Sequence, residues 1–307
     1  MTKVWLPYAS RAEAEDRIGG VPDGIEVDCF TGDDWPDSIG EVEFFVLPYM
    51  TGPETLDRVD EMTSLKVVQT LTAGVESIVP LVPEGVQLCN AAGVHDTSTA
   101  ELALALTLAS GRQLDVAARN MPAGRWASTF GRALADLRVL IVSYGHIGEA
   151  IEARVAGFEV ASITRVARRA RDGEVAVHAI TDLPELLPEA DVVYLIAPLT
   201  PDTEGLIGAH ELSLLPDGAL LVNVARGKLV DTEALLAETR TGRIRAALDV
   251  TDPEPLPEDH PLWQVPGVLV SPHVGGASSA FWPRADRLSA AQLARFAQGA
   301  DLENVIS

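Results

Sequence analysis

Residues 137–142 form a compact apolar run that stops at Ser143-Tyr144-Gly145-His146-Ile147-Gly148, where a helical pattern opens over residues 149–155. A strand that passes through a glycine turn into a helix needs a crossover to reach its next parallel neighbour, so the segment commits the chain to wound α/β architecture. The pattern recurs. Short apolar runs at residues 4–7, 25–29, 42–47, 67–71 and 86–89 make a first series. Runs at 137–142, 160–164, 192–196, 219–223, 245–250 and 267–271 make a second, each stopping where polar or glycine-rich residues begin. In open parallel sheets ligands bind beyond the carboxyl ends of the strands, so those stops are where chemistry is expected.

Between the two series, residues 100–110 read as a long apolar helix bridging two domains, and residues 124–134 as a surface connection. The last helical pattern, residues 284–298, lies too far along to extend the second sheet and is expected to pack on the first domain. A chain of 307 residues has room for two domains, each with its own core. Its net charge of −22 excludes nucleic acid and anionic membranes as bulk partners, because both need a basic footprint. Any anionic ligand must therefore be met by a local cluster of arginines. Cys29 and Cys89 fit neither a disulfide framework nor a metal pattern. With no leader-like start and no run of about 20 apolar residues, the expected location is cytoplasmic.

The 143–148 turn carries glycine at the second and third positions of a dinucleotide fingerprint and serine at the first. The middle glycine lets backbone approach a pyrophosphate, the last lets helix and strand pack closely, and the helix N-terminus favours negative charge. Tyr144, Gly145, His146, Ile147 and Gly148 are thus candidate cofactor contacts. At the end of the next strand an acidic residue would accept from an adenosine ribose, as NAD binding requires. Here the chain reads Thr164-Arg165-Val166-Ala167-Arg168-Arg169-Ala170-Arg171. Four arginines and no carboxylate suit the 2′-phosphate of NADP, with NAD still possible. Arg165 is the first candidate, followed by Arg168 and Arg169.

Three later strand ends carry Asn223-Val224-Ala225-Arg226-Gly227, Leu248-Asp249-Val250 followed by Pro253-Glu254-Pro255, and Ser271-Pro272-His273-Val274-Gly275-Gly276. An arginine presents a planar fork of donors to a carboxylate and can polarise an adjacent keto oxygen. A histidine passes a proton, and a glutamate beside it favours the charged ring. Together they suit oxidoreduction of a hydroxy or keto acid.

With these residues in place, the chain resembles the D-isomer-specific 2-hydroxyacid dehydrogenase family over nearly its whole length. The matching stretches are Leu71-Thr72-Ala73-Gly74-Val75, Ala100-Glu101, the Gly145/Gly148 turn, Pro198-Leu199-Thr200-Pro201-Asp202-Thr203, and the segments around Arg226, Glu254 and His273. The resemblance implies a Rossmann-type NAD(P)-binding domain, residues 97–275, inserted in a split flavodoxin-like substrate domain, residues 1–96 plus 276–307. It also implies a cleft closing between them and a homodimer. Carried over residue by residue, it makes Arg226 the substrate arginine, His273 the acid/base and Glu254 its partner. It further implies that backbone amides around Ala73 and Gly74 hold the substrate carboxylate, and that Pro198 and Thr203 lie along the cofactor. Asp249, with the backbone of Val224 and Ala225, would orient the nicotinamide carboxamide.

Tyr49, Met50 and Trp282 are candidates for shaping a substrate pocket, and His95 for approaching the cleft. Ser143 in place of the usual first glycine, and Thr164 with Arg165 in place of the acidic ribose ligand, depart from the family pattern. The expected activity is NADPH-preferring reduction of a small 2-keto acid, of the glyoxylate or hydroxypyruvate type, to the D-2-hydroxy acid. Alternatives are a phosphoglycerate dehydrogenase-like enzyme, although the chain has no room for a C-terminal regulatory domain, a phosphite-type oxidoreductase, or a non-catalytic dinucleotide sensor.

Overall fold

The computed structural model describes every residue except Glu174. The chain divides into two compact units, residues Met1–His95 with Ser279–Ser307, and residues Asp96–Ser278. The first holds strands β1 (Thr2–Leu6), β2 (Ile25–Cys29), β3 (Val42–Val46), β4 (Val67–Gln69) and β5 (Gln87–Cys89), with helix α1 (Arg11–Ile18) between β1 and β2. The second holds helices α2 (Asp96–Arg112) and α3 (Leu114–Asn120), then β6 (Arg138–Val142), α4 (His146–Val155), β7 (Ser162–Ala167), β8 (His178–Ala179) and α5 (Leu183–Leu186). It continues with β9 (Val192–Leu195), α6 (Ala209–Leu214), β10 (Leu220–Asn223), α7 (Thr232–Arg240), β11 (Arg245–Leu248) and β12 (Val268–Val270). Helix α8 (Phe281–Gln298) returns to the first unit, where it packs on α1.

Five strands of the first unit lie in the order β2-β1-β3-β4-β5, and every pairing is parallel. This is the flavodoxin-like winding. Period-2 alternation splits the strand residues between two apolar layers. Val4, Leu6, Phe44 and Val46 face one layer with α8 residues Ala285 and Leu293. Trp5, Phe45, Val68 and Leu88 face the other. Each fully buried side chain of this size stabilises the fold by roughly 1.5–3 kcal/mol. Serine and glycine delimit α1: Ser10 Oγ accepts from the Glu13 amide at 3.2 Å, and Gly19 closes the helix at φ 75°.

Seven parallel strands of the second unit run β12-β11-β10-β9-β6-β7-β8. Counted from β6, the chain winds outward through β7 and β8, then returns beside β6 with β9 and winds the other way. That reversal is the topological switch point of a dinucleotide-binding sheet. Leu140, Leu195, Leu221 and Leu248 point to one layer with α6 and α7, and Ile141, Tyr194, Val222 and Ala247 to the other with α2 and α4. Helix α2 belongs wholly to this unit, packing on α4, β10 and β11, and Thr107 Oγ1 donates to the buried Tyr194 hydroxyl at 2.9 Å. No helix among the described residues is long and apolar enough to cross a membrane.

Candidate active site

The 143–148 turn sits at the carboxyl end of β6, beside the switch point. Ser143 adopts φ 78°, the left-handed conformation in which glycine is the unstrained residue, and its amide and that of Tyr144 both donate to Val166 O, at 2.8 and 2.7 Å. Gly145 precedes α4 in extended geometry, no side chain caps the helix, and a Cβ there would meet nothing within 4 Å. The approach to the first amides of α4 is therefore open to an anion. Gly148 is closed: a Cβ would stand 3.2 Å from the Tyr144 ring and 3.3 Å from Ile141 and Ile196, which is the close helix-to-strand packing its position requires. His146 is exposed, with Nδ1 3.8 Å from Asp96 Oδ2. Replacing Ser143 by glycine should relieve about 1–2 kcal/mol of left-handed strain, partly offset by about 0.5–1 kcal/mol of added unfolded-state freedom. A small rise in Tm is expected. A fall would show that the serine side chain, not the backbone, sets the turn.

The arginine cluster is distributed differently from the sequence expectation. Strand β7 runs on to Ala167, so Arg165 lies inside it, paired in register with Ile141. Its guanidinium is committed to Glu152 of α4, with Nε 2.6 Å from Oε2 and a second, short contact to Oε1, while Nη1 donates to Ile163 O at 3.0 Å. Arg165 in turn holds the Glu152 carboxyl below the usual carboxylate range. Arg165, the first candidate from the sequence, therefore already has a carboxylate partner in this structure. Arg168 and Arg169, which follow the true strand end, are exposed and have no ion-pair partner among the described residues. Arg171, not singled out from the sequence, donates from Nη2 to Tyr144 O at 2.8 Å and links the cluster to the glycine turn.

Arg226, Glu254 and His273 follow three neighbouring strands, β10, β11 and β12. Buried Asn223 staples the first loop, its Oδ1 accepting from Ala225 N at 3.1 Å and its Nδ2 donating to Arg226 O at 2.9 Å. Arg226 Nη1 donates to Ala225 O at 2.7 Å. Gly227 follows. A Cβ there would lie 1.9 Å from Thr251 O and 2.6 Å from Asp252 N, so the Arg226 loop and the loop leading to Glu254 meet backbone to backbone. Thr232 Oγ1 fastens the same loop by donating to Asp252 O at 2.8 Å. The approach of this second loop explains the glycine.

His273 Nδ1 and Glu254 Oε1 are in direct hydrogen-bond contact, both side chains being partly exposed. His273 Nε2 has no partner among the described residues. The histidine backbone is left-handed, φ 51°, a conformation that a non-glycine residue holds only when its surroundings impose it. Those surroundings centre on Asp249. It is 1% exposed, its Oδ1 accepts from Ser271 Oγ at 2.5 Å and from Val274 N at 3.0 Å, and its Oδ2 accepts from Gly275 N at 2.7 Å. The Asp249 carboxylate thus ties the 271–275 loop to the end of β11. Val224 is buried, and its amide donates to Leu195 O at 3.4 Å. Thr203 turns its hydroxyl into its own loop, donating to Pro198 O at 2.6 Å and accepting from Thr200 N at 2.8 Å.

In the first unit, Ala73 and Gly74 follow β4. Their carbonyls are held by Asn90 Nδ2 and Thr72 Oγ1, both at 2.8 Å, while their amides have no acceptor among the described residues. Tyr49 stacks on Phe281 with ring centres 3.7 Å apart, and Phe281 lies parallel to the His95 ring at 5.3 Å. His95 is buried, with Nε2 2.9 Å from Leu71 O. Met50 is exposed, and Trp282 is partly covered by the Arg17 guanidinium 4.4 Å from its ring. No group of three or more metal-binding side chains occurs among the described residues.

A seven-stranded parallel sheet wound 3-2-1-4-5-6-7, a glycine turn before an uncapped helix, and ionisable groups gathered on adjacent strand ends define a dinucleotide-binding oxidoreductase domain. Residues 104–275 match the family model described as the NAD-binding domain of D-isomer specific 2-hydroxyacid dehydrogenases. The chain is 34% identical over 238 residues to the glyoxylate reductase/hydroxypyruvate reductase of Mus musculus, covering 72% of this chain and 73% of that protein. It is 30% identical over 311 residues to a glyoxylate reductase of Thermofilum pendens, covering 95% and 91%. A solved D-isomer specific 2-hydroxyacid dehydrogenase from Xanthobacter autotrophicus, in complex with NADPH and MES, superposes with TM-score 0.81 at 28% identity, covering 100% of this chain and 98% of that one. The chain belongs to the D-isomer specific 2-hydroxyacid dehydrogenase family and is an NAD(P)-dependent oxidoreductase.

Proposed function

We propose that the protein reduces a small 2-keto acid, of the glyoxylate or hydroxypyruvate type, to the D-2-hydroxy acid and prefers NADPH to NADH. The observation that carries the reading is the contact of Glu254 with His273 on strand ends adjacent to that of Arg226. The uncapped start of α4 and the open face of Gly145 fit the cofactor pyrophosphate. When bound, the nicotinamide supplies hydride to the keto carbon. Arg226 binds the substrate carboxylate with its fork of donors and draws charge toward the keto oxygen. The amides of Ala73 and Gly74, which have no acceptor among the described residues, are further candidate donors to a carboxylate. His273 gives the proton from Nε2 to the oxygen that becomes the hydroxyl, while Glu254 at Nδ1 stabilises the charged ring before transfer and fixes its direction. The product gains one hydride at carbon and one proton at oxygen.

The NADPH preference is supported by Arg168 and Arg169, exposed and without carboxylate partners among the described residues, at the end of β7, where a 2′-phosphate would need them. It is supported too by the NADPH named in the Xanthobacter structure. A homodimer belongs to this reading. Residues 121–130 are exposed throughout, with Trp126 and Phe130 at 97% and 103%, and aromatic surface left so open is suited to burial against a second copy.

The test is NADPH oxidation with a panel of 2-keto acids, repeated with NADH. Turnover of glyoxylate or hydroxypyruvate is expected, and no turnover of any 2-keto acid despite tight cofactor binding would overturn the reading. Substituting Arg168 and Arg169 together by alanine should raise the KM for NADPH by about tenfold or more, since each charge-assisted contact contributes about 1.5–3 kcal/mol before solvent screening. The KM for NADH should stay unchanged. Equal losses for both cofactors would remove the 2′-phosphate assignment.

A further inference from the structure

We infer that Asn90 is a positioning residue for the substrate carboxylate, acting by aiming the Gly74 amide. This rests on the proposed role of the Ala73 and Gly74 amides as donors to a carboxylate. A trans peptide unit is planar, so its C=O and N–H point in opposite directions, and whatever holds the oxygen also aims the hydrogen. The amide of Ala73 shares its plane with Thr72 O, which accepts from Ala91 N and from Thr70 Oγ1, both at 2.9 Å. The amide of Gly74 shares its plane with Ala73 O. That oxygen accepts from Asn90 Nδ2 at 2.8 Å and from no main-chain amide among the described residues. Main-chain pairing thus helps to set the first donor, whereas a side chain sets the second.

Asn90 is itself held in place. It follows β5, the parallel neighbour of β4, so its loop and the Ala73–Gly74 loop leave adjacent strands. Its Oδ1 accepts from Ala92 N at 3.1 Å. The two partners fix the side-chain amide in one orientation, because Ala73 O can only accept and Ala92 N can only donate. The main chain of Asn90 is tied as well: its N–H donates to Asn304 O at 3.1 Å, and its carbonyl accepts from Gln69 Nε2 at 2.9 Å. Gln69 is fully buried at the end of β4, and its Oε1 accepts from Gln292 Nε2 of α8 at 2.7 Å. A chain of amides therefore runs from α8 through Gln69 and Asn90 to the Ala73–Gly74 peptide. Such a chain, satisfied at each link, is rigid, and it presents the Gly74 donor without reorganisation when an anion arrives. Amides also suit the task because they carry no charge. An aspartate at this position would offer no donor to Ala73 O and would repel a carboxylate.

The experiment titrates wild-type protein and Asn90→Ser, each saturated with NADPH, with oxalate, which has the carboxylate of a 2-keto acid but no carbon that accepts hydride. Steady-state reduction of glyoxylate is measured on the same preparations. Serine is too short to reach Ala73 O yet can still accept from Ala92 N. The dissociation constant for oxalate and the KM for glyoxylate should both rise by about tenfold, the lower end of what a hydrogen bond to a charged group is worth. The kcat and the dissociation constant for NADPH should stay at their wild-type values, because the carboxylate is bound alike before and during hydride transfer. Unaltered oxalate affinity with a lowered Tm would overturn the inference, leaving a purely structural role. A fall in kcat with KM and oxalate affinity unchanged would overturn it too. If Asn90→Ser does not fold, Asn90→Asp keeps the shape and the bond to Ala92 N but lacks the donor. Compared with wild type at about 0.5 M salt, which screens the new charge, it should bind oxalate about tenfold more weakly, and equal affinity would overturn the inference. A wild-type protein that neither reduces 2-keto acids nor binds oxalate would overturn the proposed reaction and this inference together. Where wild type does either, the ratio of variant to wild type tests Asn90 alone, so the two failures are separable.

Discussion

Replacing His273 by asparagine should lower kcat for 2-keto acid reduction by about 10³-fold, within the range that general acid catalysis contributes. Cofactor affinity and Tm should be unaffected. Asparagine approximates the reach of the imidazole to Glu254 but has no proton to give at the position of Nε2. The Glu254 carboxylate is partly exposed, so losing its partner leaves it solvated and does not strand a buried charge. The effect should therefore fall on turnover and not on folding. Glu254→Gln should be milder, because it keeps a hydrogen-bond acceptor for Nδ1 and removes only the charge. Were His273→Asn to retain most of the wild-type kcat with chemistry rate-limiting, the proton would have to come from another group and the assignment would fail.

The second large effect is expected at Gly227, which touches no substrate. A methyl group at this position would occupy the space of the Thr251 carbonyl, 1.9 Å from its oxygen and 2.1 Å from its carbon. The obstacle is main chain, so no rotamer change can absorb it. The loops bearing Arg226 and Glu254 must move apart. Gly227→Ala should destabilise the second unit by about 1–3 kcal/mol, as overpacking does, lowering Tm by about 2–12 °C for a unit of this size. It should also cut kcat/KM by about 10²-fold at temperatures where the protein stays folded, because a shift of about 1 Å between reacting groups costs that much. Thermal melts and steady-state kinetics on the same preparation separate the two consequences. Wild-type kcat/KM in a folded Gly227→Ala protein would mean that the two loops need not be in register.

The winding of both sheets was legible because it is written locally. Strand-length apolar runs, glycine turns and polar strand ends are short-range signals, and parallel sheets buried on both faces amplify them. The side chains at the ends of β10, β11 and β12 could be singled out for a similar reason. Arginine, glutamate and histidine carry their chemistry with them, and the strand ends place them on one edge of the sheet.

The allocation of the arginines was not legible. Val166 and Ala167 extend β7 beyond Thr164 through pairing with Val142 and, at Val166 and Ala167, with β8. Glu152, the partner of Arg165, lies 13 residues away on another element. Nothing within the run Arg165 to Arg171 distinguishes a neutralised guanidinium from a free one. The hydrogen-bond partners of Asp249 were not legible for a related reason. Which donors a buried carboxylate at a strand end meets depends on what the next strand delivers.

By itself the sequence determined the architecture, the glycine turn and the kinds of side chain available at the strand ends, since these depend on periodicity and intrinsic chemistry. Only the tertiary structure decided which of those side chains are already occupied. Arg165 is spent on Glu152, Asp249 on the loop of His273, and Gly227 on a meeting of two backbones. The physical reason is common to all three: hydrogen bonds and steric contact act over a few ångströms, and the groups within that range are set by the fold, not by their separation along the chain.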